Sequence, residues 1–294
     1  NKTFSYCLFM TKQKEWIKNP LKTSFINFPT NIPFEQGLMR EKWIRGSMNG
    51  NAVGLAGYGH EGKLFGLFTI PEKSISHSNN LIAPHTKLEG IFDLLQNGTC
   101  LFITTSNGDI YFALPNDAIF YKTQGRWHYI NYKNLENALG EITNKTINKS
   151  LLRLILDISF ERNGALIFIP ENEKNILEII PDYKEEIKIN GDLRNTIKNL
   201  NINDKSDRTI IKTSSKVDGA LVINSEGNVL DVSCMIGQPT KSRLKDLNIE
   251  KLERFSGARS TAAWNSSLYG ISIKISEDGP ITIFKSGKLV FEIG

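Results

Sequence analysis

In YGISIKISEDGPITIFKSGKLVFEI (269–293) apolar and polar residues alternate across two turn sequences, which predicts three consecutive strands. Upstream, KSRLKDLNIEKLERF (241–255) changes to helical spacing, with Leu244, Leu247 and Leu252 on its inward face. VDGALVIN (217–224) and VLDVSCMI (229–236) flank the turn SEGN and read as a hairpin. GDLRNTIKNLN (191–201) reads as a short amphipathic helix. GALIFIP (164–170) is continuously apolar, as expected of a strand buried on both faces. SLLRLILDISFER (150–162) places Leu151, Leu154, Ile155 and Ile158 on one helical face, with Ser150 as its predicted N-cap. Helices and strands alternate through this half, so the expected fold is α/β: a mixed sheet flanked by helices.

The first half has a different rhythm. PFEQGLMREKWIRG (33–46) and KLEGIFDLLQNG (87–98) have helical spacing and end on a glycine that suits a C-cap. Four strand-like runs follow at 100–106, 109–115, 118–122 and 126–132, with Asn107-Gly108 as a hairpin turn between the first two. The predicted helix NLENALGEI (134–142) leads into the polar TNKTINK (143–149). There the boundary is drawn, giving an α+β domain at 1–145 and a second domain at 146–294; a helix continuous through the segment is the alternative.

At 294 residues, two domains are also the prior from length alone. Residues 1–150 hold 16 Lys and Arg against 11 Asp and Glu, whereas 151–294 hold 20 of each. That surplus is too small and too dispersed to predict nucleic-acid binding. Three scattered cysteines without a CxxC pair predict reduced thiols and a cytoplasmic location. No apolar run nears the ~20 residues that span a bilayer, so no membrane partner is expected.

GYGHEGKL (57–64) matches G-x-G-x-x-G and approaches a P-loop, but both motifs need a helix immediately after. KLFGLFTI follows instead and reads as a strand, so this is expected to be a glycine-rich loop or hairpin. His77 and His85 have no cysteine at a zinc spacing, and the four histidines read as exposed polar residues. The second half holds a more coherent set. Asp218 interrupts an apolar strand beside Gly219, where backbone or ligand can approach closely. Arg259, Ser260 and Thr261 open a helix, where amides, hydroxyls and a guanidinium favour an anion, although Ser260 and Thr261 also suit capping. Glu277 and Asp278 sit in the turn ISEDGP, where a carboxylate suits Mg²⁺ or Mn²⁺. A metal carboxylate beside a phosphate seat is the equipment of phosphoryl or nucleotidyl transfer.

ERNGALIFIP, KVDGALVI, SGARSTAAWNSS and ISIKISEDGPITIF stand in the order and rough spacing of the diadenylate cyclase (DAC) domain, and residues 145–294 resemble that family. The first half resembles, more loosely, the sensor domains that precede DAC domains in some bacterial proteins. The resemblance implies binding of ATP or another purine nucleotide and condensation of two NTPs into a cyclic dinucleotide. It implies a divalent metal and a homo-oligomer whose sites meet face to face. Asp218, Gly219 and Ala220 match the D-G-A motif, whose aspartate binds metal and helps activate a ribose 3′-hydroxyl. Gly257 and Arg259 match the glycine and first arginine of G-T-R-H-R-A-A, which hold phosphates, and Glu277 matches the first glutamate of S-E-E. Ala258 replaces the threonine, Ser260 the histidine and Thr261 the second arginine, while residues 151–294 contain no histidine. The implied site is therefore Asp218 as catalytic and metal residue, Glu277 as second metal ligand, and residues 219, 220 and 257–261 around the nucleotide. A domain that only senses a nucleotide or cyclic dinucleotide is the alternative.

Overall fold

A computed structural model describes residues 4–12, 25–48, 52–57, 62–70, 81–115, 118–181, 183 and 195–294. The chain divides into two compact units, Asn1–Lys133 and Asn134–Gly294. Among the described residues no helix is long and apolar enough to cross a membrane.

The first unit is sheet-rich. Its strands are β1 (Phe4–Thr11), β2 (Phe25–Pro33), β3 (Ala52–Gly57), β4 (Lys63–Thr69), β5 (Thr99–Thr105), β6 (Ile110–Leu114), β7 (Ala118–Thr123) and β8 (Arg126–Ile130). They form one sheet in the order β2-β4-β3-β1-β5-β6-β7-β8, with β1 and β3 parallel. The four expected strands after residue 99 are all present, and the Asn107-Gly108 turn has the required left-handed glycine (φ +86°). The predicted helix at 33–46 is instead a π-helical turn, Glu35–Arg40, followed by α1 (Lys42–Ser47). That at 87–98 shrinks to a 3₁₀ turn and α2 (Glu89–Phe92). GYGHEGKL lies between the antiparallel strands β3 and β4, with no helix after it; residues 58–61, His77 and the start of the segment at 191–201 lie outside the described residues.

His85 is buried rather than exposed, because its Nδ1 accepts from the Lys87 amide and caps the 3₁₀ turn. All three cysteines are buried and none is in a disulfide. Burial pushes the Cys100 thiol up to about 11 and raises that of Cys7 as well, which makes both poor nucleophiles.

Helix α3 (Tyr132–Ile142) falls almost wholly in the second unit. Helix α4 (Lys145–Phe160) runs straight through the polar segment, so its N-cap is Asn144 and not Ser150. The helix ends in a Schellman motif: Arg162 is left-handed (φ +57°), its amide bonds Ser159 O, and the Asn163 amide bonds Ile158 O. That reversal delivers Gly164 to the start of β9 (Ala165–Pro170), every residue of which is buried. Further elements are α5 (Glu173–Ile179), α6 (Lys205–Ser214), β10 (Ala220–Ile223), β11 (Val229–Cys234), α7 (Lys241–Asp246), α8 (Ala258–Ser267), β12 (Gly270–Ile275), β13 (Ile281–Lys285) and β14 (Lys288–Ile293).

The expected long helix at 241–255 stops at Asp246 because Asn248 turns left-handed (φ +55°) and its neighbours close a second Schellman motif, leaving Leu252 exposed. The sheet order is β11-β10-β9-β12-β13-β14, with β9 and β10 parallel and the other pairs antiparallel. The core beneath it gathers Leu166, Phe168, Ala220, Val222, Trp264 and Tyr269. Trp264 is anchored through its indole N–H to Gly287 O at 2.9 Å, which holds α8 on the sheet.

Candidate functional site

Strand register brings the separate motifs to one end of the sheet. Ala165 opens β9 opposite Ile275, which ends β12, and Ala220 opens β10 opposite Leu166. Gly164, Asp218-Gly219 and Ser276-Glu277 thus lie on adjacent strand ends. Since α8 runs back along β12, its N-terminus reaches the same end. Between them lies a cavity of about 720 Å³, lined by Asp218, Gly219, Ala220, Gly257, Ala258, Arg259, Ser260 and Glu277 among others. Its size falls in the range of small-molecule sites.

Asp218 lies in the bend before β10, not within the strand as expected, and it is exposed with no hydrogen bond or ion pair among the described residues. Gly219 makes that bend possible. It is left-handed (φ +102°), and a Cβ there would lie 2.6 Å from Ser233 O and 2.7 Å from Ser233 Cα. Ser233 is itself left-handed (φ +55°), and the β10–β11 register slips between Ala220 and Val222. The bulge presses the two strands together and turns Asp218 toward the cavity.

Helix α8 begins at Gly257, which supplies no side-chain cap, and its first turn has no acidic residue. Ser260 and Thr261 therefore do not cap it; they sit inside the first turn. The first amides of a helix have no partner within it, and residues 257–260, which open α8, line the cavity. Thr261 does not line the cavity: its hydroxyl turns back to donate to Gly257 O at 3.3 Å. Arg259 Nη1 pairs with Glu277 Oε1 at 3.4 Å, both partly exposed, so the bond is weak enough to yield to a stronger anion. The turn carrying Glu277 is tied by Ser276 N to Pro280 O at 2.9 Å and by the Ser159 hydroxyl to Gly279 O at 2.6 Å.

Two further residues complete the site. A Cβ on Gly164 would overlap the Arg259 guanidinium, 2.7 Å from Cζ, and would sit 2.9 Å from Glu277 Cγ. Both atoms belong to flexible side chains, so Gly164→Ala should leave stability within about 1 kcal/mol while displacing the Arg259–Glu277 pair. Anion or nucleotide affinity measured by calorimetry should fall as it does in Arg259→Ala; wild-type affinity would show that the pair's position is irrelevant. Lys274, on β12, donates from Nζ to Ser260 Oγ at 3.3 Å and lines the cavity. The sequence holds a signal for it, the single charged residue of GISIKI, but alternation alone assigns such a position to solvent.

No group of three or more His, Cys, Asp or Glu able to hold a metal occurs among the described residues. Asp218 and Glu277 nevertheless share the cavity, and Mg²⁺ commonly takes one or two carboxylates with waters and substrate phosphates completing its shell. The donor set fits a metal that arrives with a phosphorylated substrate, and not a cage built wholly by protein.

Residues 153–289 match the model of the DAC family, described as DisA bacterial checkpoint controller nucleotide-binding. No curated protein matches the chain. Among solved structures, the crystal structure of the hypothetical membrane spanning protein from Bacillus cereus is similar at 17% identity over 55% of this chain and 69% of its own, with a TM-score of 0.36. A likeness at that score fixes neither fold nor function.

Proposed function

From the match of residues 153–289 to the DAC nucleotide-binding model, we propose that the second unit binds ATP or another NTP in the 720 Å³ cavity and joins two nucleotides into a cyclic dinucleotide. The observation that carries this reading is the convergence on one cavity of a carboxylate with no partner among the described residues, a helix N-terminus with an arginine, and a second carboxylate. In this reading phosphates lie against the α8 amides and Arg259, and Asp218 with Glu277 takes Mg²⁺ or Mn²⁺. Bound there, the metal would polarise a phosphoryl oxygen and acidify the attacking hydroxyl. Each ribose 3′-oxygen attacks the α-phosphorus of the other nucleotide, its proton is lost, and pyrophosphate leaves. One cavity holds one nucleotide, so the reaction requires two copies face to face, and the first unit serves as a sensor that biases their association.

A second reading is favoured by Arg259, which is engaged by the same Glu277 that would hold metal, and by the serine and threonine at 260 and 261. Here the domain binds a nucleotide or cyclic dinucleotide without turning it over. Incubating the full chain with each NTP and Mn²⁺, followed by mass spectrometry, separates the two. The cyclase reading expects pyrophosphate and a cyclic dinucleotide from at least one base. NTP binding without any pyrophosphate release leaves only the sensor.

A further inference from the structure

Lys274 occupies an electrostatically costly place. It lies on β12, between β9 and β13, in a strand whose other residues are all buried, and it is itself half-buried. Ser272 and Lys274 point to the same face, as strand alternation requires. That face lies under α8: Ser272 Oγ meets Ser266 Oγ at 2.7 Å, and Lys274 Nζ meets Ser260 Oγ at 3.3 Å. The ammonium is thus held against the first turn of α8, the positive end of the helix dipole, where a cation is disfavoured. Arg259 adds a second positive charge in the same turn, and that turn has no acidic residue. Among the described residues Lys274 forms no ion pair, and its hydrogen bond to Ser260 is with a neutral hydroxyl.

In the empty protein this ammonium faces the first turn of α8 with a neutral hydroxyl as its hydrogen-bond partner, beside an arginine that is paired with Glu277. An anion in the cavity supplies the charged partner that Ser260 does not. We propose that Lys274 is the second cation of the phosphate seat, contributed from the strand and not from the helix, with the Ser260 hydroxyl positioning its ammonium. This rests on the nucleotide reading of the cavity and assigns it a ligand class: a polyphosphate that contacts Arg259 and Lys274 while its metal faces Asp218. Ser260 and Lys274 also line an adjoining cavity of about 480 Å³ that contains Glu253 and Glu292, so the ammonium stands at the partition between the two. The carboxylates on that far side make the Arg259 side the more favourable for an anion.

The test measures binding of inorganic tripolyphosphate and of ATP with Mg²⁺ by calorimetry, using the full chain, Lys274→Met, Lys274→Arg and Arg259→Ala. Lys274→Met should weaken both probes by about 10- to 100-fold, the range of a charge-assisted hydrogen bond, and flatten the salt dependence. Lys274→Arg should retain most of the affinity. The melting temperature of ligand-free Lys274→Met should equal or exceed that of the wild type, which a merely structural lysine would not allow. ATP binding that is lost in Arg259→Ala but unchanged in Lys274→Met overturns the role of Lys274 and leaves the nucleotide reading standing. Lys274-dependent tripolyphosphate binding without ATP binding keeps the anion seat and sinks the nucleotide reading. Binding of neither probe overturns both.

Discussion

In the cyclase reading, replacing Asp218 with asparagine is expected to stop pyrophosphate release from NTP while leaving the fold intact. Asparagine has nearly the same shape, and Asp218 is exposed with no partner to lose among the described residues, so stability should stay within about 0.5 kcal/mol. What changes is the charge. A neutral amide is a much poorer ligand for a hard divalent cation and cannot take a proton from an attacking hydroxyl. Turnover should drop by about 10²–10⁴-fold, the usual worth of a positioned acid–base group. Metal-free nucleotide binding should persist, since Arg259 and the α8 amides are untouched. Assays of pyrophosphate release across Mn²⁺ concentrations check this, and undiminished turnover would remove Asp218 from the chemistry.

The second large effect is on stability. Gly219→Ala places a methyl group against the Ser233 backbone, not against a movable side chain, at a φ of +102° that alanine tolerates poorly. Strand β10 cannot retreat easily, because it is sandwiched between β9 and β11 and all four of its residues are buried. The cost should be at least about 2 kcal/mol, read as a lower denaturation midpoint in urea at unchanged slope. Nucleotide binding should weaken in parallel, because the same bulge turns Asp218 toward the cavity. A variant as stable as the wild type would mean that the β10–β11 edge is looser than its geometry implies.

These two neighbours differ in how far the sequence announces them. Asp218 stands out as a charge within an apolar run, and the family resemblance supplies the role proposed for it. Gly219 is visible as a glycine beside it, but the reason for it is Ser233, fourteen positions on in sequence and brought near by hairpin pairing. Strands were the more legible elements. Alternation and Asn-Gly or Gly turns locate the last three strands and the four at 99–130, because side-chain period and turn chemistry are both local properties. Helix ends were less so. Leucine spacing carries the helix at 241–255 past Asn248, whose left-handed backbone in fact stops it; any residue but glycine gives weak notice of that conformation. Ser150 looks like a cap only until α4 is seen to begin at Lys145, behind its N-cap Asn144, and run through it.

By itself, then, the sequence determined the mixed α/β character expected of residues 146–294, the order of its strands along the chain and four motifs that resemble those of the DAC domain. Each rests on spacing within a few residues. The tertiary structure decided which of those motifs meet. Parallel pairing of β9 with β10 and antiparallel pairing of β9 with β12 set Gly164, Asp218 and Glu277 on adjacent strand ends. Packing of α8 over the polar face of β12 excluded Thr261 from the cavity and admitted Lys274. A strand's alternation says which residues share a face, but only the helix laid across that face determines whether it meets water, core or ligand.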